Sequence, residues 1–144
     1  MGLAVLAIRA DVADLRLASR WLELQGIAFA IPPEQIARLD LCLNEALANI
    51  IEHGGRDAAL APVSLSMRAD SDDNGGYARL TLSDAGRAFN PLTAACKAKP
   101  DSLAQATPGG LGLGLMRSYA SEVVYKRRRG RNCIWFIVRW TKAA

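Results

Sequence analysis

The chain has 144 residues, of which 51% are hydrophobic and 22% charged, and its formal net charge is +4. This balance excludes a disordered chain and is typical of a water-soluble domain with one buried core. No stretch reaches the ~18 uncharged apolar residues of a membrane-spanning helix, and the first residues do not resemble a signal peptide. Its one histidine, His53, excludes a multi-histidine metal site, and its three cysteines lack the spacing of a zinc site or disulfide framework. We therefore expect a reducing, cytoplasmic environment.

The first half of the chain predicts one strand followed by two helices. Residues 3–8 form an apolar strand, and Asp11 then has the position of an N-cap for a helix that we expect to end at Gly26. A second helix is predicted from Pro33 or Glu34 to His53, where two glycines end it. Its core face is indicated by apolar residues at helical spacing: Ile36, Leu39, Leu43, Leu47 and Ile50.

The second half of the chain predicts two hairpins separated by a long loop and a helix. Strands near 63–67 and 77–82 flank a polar turn at 70–76, and residues 91–110 lack any periodic pattern. A loop of that length in a compact domain is typical of a lid. A helix over about 111–120 precedes the last hairpin. The order of elements predicts an α+β fold in two layers, with an antiparallel or mixed sheet and helices on one face.

A run of cations, 126–131, lies within the last hairpin. One interpretation is a nucleic-acid patch. We favour a hairpin turn, in which Gly130 and Asn132 supply the turn residues, because no aromatic side chains alternate with the cations as a base-stacking surface requires.

Three polar constellations carry the chemistry. Glu45, Asn49 and His53 lie four residues apart and project as one stripe from the second helix. Such a stripe is either solvent-exposed or lines a site. Asp84 and Gly86 follow an apolar strand, where a carboxylate can accept a hydrogen bond from an exocyclic amine, although this segment on its own favours an ordinary turn.

The third constellation is rich in glycine and opens the predicted helix after the long loop. Gly110, Gly112 and Gly114 would leave free N–H groups at a helix N-terminus, where phosphate oxygens bind well. The spacing matches neither the P-loop nor the dinucleotide-binding fingerprint.

The order of these constellations resembles the ATP-binding fold shared by gyrase, Hsp90, histidine kinases and MutL. Within that superfamily the chain is similar to the bacterial anti-sigma-factor serine kinases. The resemblance covers nearly the whole chain and is carried by L-x-x-x-L-N-E-A-L-A-N-I-I-E-H-G at 39–54, D-A-G-R-A-F-N-P at 84–91 and G-G-L-G-L-G-L-M-R at 109–117. It implies a single kinase domain over 1–144, a mixed but mostly antiparallel sheet and an ATP lid at about 91–110.

The resemblance also implies a role for individual residues. Glu45 matches the family's general base, and Asn49 matches its magnesium-binding amide. Asp84 matches the adenine-reading carboxylate, with Gly86 as its companion. The phosphate-side glycines are matched by Gly110, Gly112 and Gly114. Ser83 departs from the pattern, and the variable lid leaves Lys97, Lys99 and Arg117 without an assigned contact.

These matches imply an ATP- and Mg²⁺-dependent protein serine kinase. Its partners would be a STAS-domain anti-anti-sigma protein, which it phosphorylates, and a sigma factor, which it sequesters. We expect neither nucleic acid nor a membrane as a partner. A homodimer is compatible with the family. The alternative is a nucleotide-dependent binding module of the same fold without phosphotransfer. A histidine kinase fragment fits less well, because no helical phosphoacceptor domain is encoded in these residues.

Overall fold

A computed structural model describes residues 1–93 and 116–142 of the chain. The elements in chain order are β1 (Gly2–Ile8), α1 (Val12–Ala28), α2 (Pro33–His53), α3 (Gly55–Leu60), β2 (Val63–Asp72), β3 (Gly75–Asp84), β4 (Glu122–Arg128) and β5 (Arg131–Thr141). Residues 91–93 and 116–119 form short helical segments. Most of the predicted lid, Gly110, Gly112 and Gly114 lie outside the described residues.

The strands form a five-stranded sheet in the order β1-β2-β3-β5-β4. Each of the four neighbouring pairs is antiparallel. Alternate residues of β2 and β3 are buried, and the intervening residues face away from the core. Helices α1 and α2 pack on the buried face, so the core lies between one face of the sheet and the helices. The predicted α+β fold is confirmed, although the described strands contain no parallel pair where a mixed sheet was expected.

Helix α1 begins where the sequence predicts and ends later. The Asp11 carboxylate accepts a hydrogen bond from the Asp14 N–H at 2.8 Å, which caps the first turn. The expected end at Gly26 is wrong, because the helix continues to Ala28. Gly26 is buried, and a Cβ there would lie 2.8 Å from Ile36 Cδ1 of α2. This glycine therefore allows α1 and α2 to approach closely rather than ending the helix.

Helix α2 has the predicted bounds, with proline at its first position and glycine after its last residue. Gly55 adopts a φ of +68° and starts the six-residue helix α3, which the sequence analysis did not predict. None of the described helices is both long and apolar enough to cross a membrane.

The last hairpin is tighter than predicted. Arg129 and Gly130 form the turn, with φ of 49° and 75°, as a two-residue turn between twisted antiparallel strands requires. The cationic run is therefore mainly strand, since Lys126 to Arg128 belong to β4. Asn132 is the second residue of β5 instead of a turn residue, and it pairs with Asp84 of β3. The register between β3 and β5 thus places two polar side chains opposite each other at one end of the sheet.

Two leucines of α1 test which face of the helix packs on the core. Leu22 is fully buried, whereas Leu24 is 55% exposed. We expect Leu22→Ala to lower the free energy of unfolding by about 2–5 kcal/mol, because it leaves a cavity. Leu24→Ala should change it by no more than about 0.5 kcal/mol. Urea denaturation of both variants measures this, and equal effects would contradict the packing.

Candidate functional site

A cleft lies where the end of α2 meets the ends of β3 and β5. Its apolar lining includes Ala46, Ile50 and Ile134, and its polar lining includes Asn49 and Asp84. Apolar walls with a few convergent polar groups are typical of sites for small organic ligands. Asn49 belongs to the first constellation of the sequence analysis and Asp84 to the second, so the structure brings the two constellations together in one cleft.

The α2 stripe contributes two residues to this cleft. Asn49, at 6% exposure, and the partly buried His53 both line it. The stripe is therefore not simply a solvent-exposed face. Glu45 lies one helical turn before Asn49 and is not among the residues that line the cleft.

Glu45 nevertheless has an unusual environment. Its Oε2 atom is buried without a hydrogen-bond partner in the described part of the chain. Desolvation by burial raises the pKa of this carboxyl above its usual value. An oxygen without a partner retains its capacity to accept a proton or a hydrogen bond from a bound group.

Asp84 ends β3 and is 5% exposed. Its Oδ1 accepts hydrogen bonds from the Gly86 N–H at 2.9 Å and from the Asn132 side-chain amide at 3.2 Å. Both bonds go to the same oxygen, and in the described residues none goes to Oδ2. One carboxylate oxygen is therefore held by the protein, and the other can accept a hydrogen bond from a ligand in the cleft.

Gly86 permits a close backbone contact between the loop after β3 and the end of α2. A Cβ at this position would lie 2.8 Å from Gly54 Cα and 2.9 Å from Gly54 O, both of which are backbone atoms. The same contact is held by the Arg87 N–H, which donates to Gly54 O at 3.3 Å. Gly86 is thus required by packing inside the protein, in addition to any contact with a ligand.

An aromatic pair closes one side of the cleft. The rings of His53 and Phe89 stack with centroids 4.2 Å apart and an interplanar angle of 18°. Both residues line the cleft. The Arg87 side chain donates from Nε to His53 O at 3.2 Å, which ties the same two segments together. These contacts fit a structural role for His53.

The sequence analysis misses two polar residues of the cleft. Tyr125 of β4 and Asn132 of β5 both line the cleft. Asn132 is 7% exposed, and its position directly before the apolar run 133–138 is the available signal. The sequence alone predicts a turn residue at this position, because it does not reveal how β3 and β5 align.

The described residues contain no group of three or more His, Cys, Asp or Glu side chains that would hold a metal ion. The buried amide of Asn49 supplies one oxygen donor in the cleft. Mg²⁺ prefers octahedral oxygen coordination and commonly takes most of its ligands from water and substrate phosphates. A single amide oxygen would suit such an ion only if its other ligands came from water and from a bound group that carries phosphates.

Comparison with known proteins identifies relatives of the chain. A family model described as histidine kinase-like ATPase domain matches residues 8–138. The serine/threonine-protein kinase BtrW of Bordetella bronchiseptica is 36% identical over 94 residues. That match covers 65% of this chain and 63% of BtrW, so it spans less than two-thirds of the relative.

Two solved structures share the fold. The RsbU and RsbW domains of a Mycobacterium tuberculosis protein align with a TM-score of 0.70 and 16% identity, over 100% of this chain and 34% of that one. The SiaB-SiaC complex from Pseudomonas aeruginosa aligns with a TM-score of 0.53 and 13% identity, over 95% of this chain and 89% of the matched one. At these identities the structures show the fold alone.

The environment of Glu45 predicts a gain in stability when its charge is removed. Because the folded-state pKa is raised, ionised Glu45 opposes folding once the pH exceeds the unfolded-state value of about 4.3. Glu45→Gln should therefore raise the melting temperature at pH 7, and the gain should shrink as the pH falls towards 4. Thermal denaturation across this pH range checks the sign. Glu23→Gln, on the exposed face of α1, is the matched control, and an equal gain there would contradict the interpretation.

Proposed function

We propose that the chain, which belongs to the histidine kinase-like ATPase domain family, is an ATP-dependent protein serine kinase that phosphorylates a STAS-type anti-anti-sigma partner and alternately sequesters a sigma factor. The observation that carries the proposal is the buried Asp84 carboxylate, which shares an apolar cleft with Asn49 of α2. The relative BtrW, itself named a serine/threonine-protein kinase, supports the reaction class. The structures of the RsbU and RsbW domains and of the SiaB-SiaC complex support the fold on which the proposal rests.

Asp84 is the residue proposed to recognise adenine. Its Oδ2 accepts a hydrogen bond from the 6-amino group of the base, while the protein holds Oδ1. Ala46, Ile50 and Ile134 supply apolar surface against which a planar base can pack. Guanine presents an oxygen at the same position, and it would face the carboxylate without a hydrogen between them.

The phosphate side of the site joins α2 to the glycine-rich segment. Asn49 is proposed to bind Mg²⁺ through its amide oxygen, and the N–H groups near Gly110, Gly112 and Gly114 to bind phosphate oxygens. When bound, Mg²⁺ neutralises charge on the transferred phosphoryl group. Because Asn49 is one ligand only, metal affinity in the absence of nucleotide should be weak.

Glu45 is the proposed general base. The hydroxyl oxygen of the acceptor serine attacks the γ-phosphorus in line, the bond from that phosphorus to the β–γ bridging oxygen breaks, and ADP leaves. Glu45 receives the serine proton, and its buried Oε2, which has no partner in the described residues, supports this role. The raised pKa makes Glu45 a better proton acceptor than an ordinary glutamate.

Replacing Asp84 with asparagine should change base preference without unfolding the protein. The amide oxygen can still accept the Gly86 and Asn132 bonds, whereas the amide nitrogen replaces an acceptor with a donor. We expect Asp84→Asn to weaken ATP binding about 10- to 100-fold, from the loss of a charge-assisted hydrogen bond of about 1.5–3 kcal/mol. Inosine triphosphate, which carries an oxygen at position 6, should lose little affinity.

Isothermal titration of both nucleotides measures this change in preference. Asp57→Asn on the exposed surface of α3 is the control, and it should match the parent protein. An ATP affinity unchanged by Asp84→Asn would remove Asp84 from the adenine site.

Replacing Glu45 with glutamine separates the kinase from a binding module. Glutamine cannot accept the serine proton, so phosphate transfer should slow by about 10²- to 10⁴-fold while ATP binding survives. Asn49→Ala should instead weaken Mg²⁺-dependent ATP binding together with turnover. Transfer of radiolabelled γ-phosphate to a cognate STAS-domain protein, run beside an ATP titration, measures both properties.

Two results would overturn parts of this proposal. A parent protein that binds ATP but transfers no phosphate would be a nucleotide-dependent binding module. Equal transfer rates for the parent and Glu45→Gln would keep the kinase and remove Glu45 as its base.

A further inference from the structure

The β4–β5 hairpin contacts the adenine side of the cleft through Asn132. Its side-chain Nδ2 lies 3.2 Å from Asp84 Oδ1, 3.4 Å from Gly86 O and 2.9 Å from Arg87 O. Its Oδ1 accepts hydrogen bonds from the Phe89 N–H at 3.2 Å and from the Tyr125 hydroxyl at 2.5 Å. One buried amide thus joins the Asp84 carboxylate, the following loop and β4.

These partners permit one orientation of the Asn132 amide. The groups around Nδ2 are all oxygen acceptors, and the groups around Oδ1 are both donors. A flipped amide would point its hydrogens at the Phe89 N–H and its oxygen at the Asp84 carboxylate. The network therefore keeps a hydrogen-bond donor directed at Asp84 Oδ1.

Two further hairpin residues support this arrangement. The hydroxyl of Tyr125 donates to Asn132, and the Arg127 guanidinium donates to Gly86 O at 2.8 Å. Arg128 and Arg129, which follow directly in the chain, are exposed. Within the cationic run, Arg127 therefore holds the loop after β3 and Arg131 donates to Ser83 O at 2.9 Å, whereas the described contacts give no such bond to Arg128 or Arg129.

We propose that Asn132, assisted by Tyr125 and Arg127, is a positioning residue that fixes the Asp84 carboxylate and thereby sets the preference for a 6-amino purine. This inference rests on the proposed adenine site. It assigns the β4–β5 hairpin, which contains none of the nucleotide-binding residues predicted from the sequence motifs, a specific part in base selection.

The physical reason lies in how the carboxylate is held. With Asn132 and the Gly86 N–H both bound to Oδ1, rotation of the carboxylate would break two hydrogen bonds in a buried site. Oδ2, which has no hydrogen bond in the described residues, then keeps a fixed position before binding, so little ordering remains to be done when the base arrives. Without Asn132, the carboxylate retains a single bond and the loop at 86–89 loses its attachment to β5.

The test compares ATP with inosine triphosphate, which differ at position 6 of the base. Asn132→Ala should weaken ATP binding about 10-fold and reduce the ratio of ATP to inosine triphosphate affinity by a similar factor. Arg127→Gln should reduce the same ratio less, and Arg128→Gln should not change it. Thermal denaturation of each free variant establishes that it is folded.

A second variant, Asn132→Asp, tests the inference through the pH dependence of ATP affinity, which a change in packing alone would not alter. Asn132→Asp places a carboxylate beside Asp84, and repulsion raises the pKa of the pair. Protonation restores a donor to Asp84, so ATP affinity of Asn132→Asp relative to the parent should recover as the pH falls from 8 to about 5.5.

These titrations distinguish a failure of the proposed ATP binding from a failure of the role assigned to Asn132. A parent protein that does not bind ATP overturns the proposed function and this inference with it. A parent that prefers ATP, with an unchanged preference in Asn132→Ala, overturns the inference alone. Equal losses for both nucleotides would likewise show a purely structural residue, as would a pH profile of Asn132→Asp parallel to that of the parent.

Discussion

The pairing of Asp84 with Asn132 at the ends of β3 and β5 is the constraint on which the rest of the site depends. Both side chains are nearly inaccessible to water, and a buried carboxylate is costly unless hydrogen bonds stabilise it. The Gly86 N–H and the Asn132 amide supply those bonds to one oxygen. The carboxylate is thereby stabilised within the fold, and its Oδ2 has no hydrogen bond in the described residues.

The same loop connects the sheet to helix α2. Gly86 lies against the Gly54 backbone, and Arg87 donates hydrogen bonds to Gly54 O and His53 O. The end of α2 is therefore held at a defined distance from Asp84, so Asn49 shares the cleft with that carboxylate.

Features that depend on residues close together in the sequence are predicted correctly. The features that the sequence analysis misses depend on how helices pack and how strands align in the folded chain. The Asp11 cap and the bounds of α2 depend on residues close in sequence, and both are confirmed. Gly26 has the sequence appearance of a helix end, but its role comes from contact with Ile36, which depends on how two helices pack. Asn132 was assigned to a turn because its pairing with Asp84 exists only once β3 and β5 are aligned.

The candidate site likewise combines residues predicted from local motifs with residues that only the folded structure brings together. Glu45, Asn49, Asp84 and Gly86 were recognised from motifs, and the structure brings Asn49 and Asp84 into one cleft. The side chains that hydrogen-bond to Asp84 and Gly86 come from a hairpin 41 to 48 positions later in the chain, which no local pattern connects to Asp84. The glycines expected on the phosphate side lie outside the described residues, and their roles stay predictions.

The central claim is that ATP binds in this cleft with its base against Asp84. A crystal structure of the chain with Mg²⁺ and a non-hydrolysable ATP analogue tests it most directly. The account predicts the 6-amino nitrogen within hydrogen-bonding distance of Asp84 Oδ2, the metal bound to the Asn49 amide oxygen, and Asn132 still bound to Asp84 Oδ1. A nucleotide bound elsewhere, or a base in the cleft without a contact to Asp84, would contradict the account.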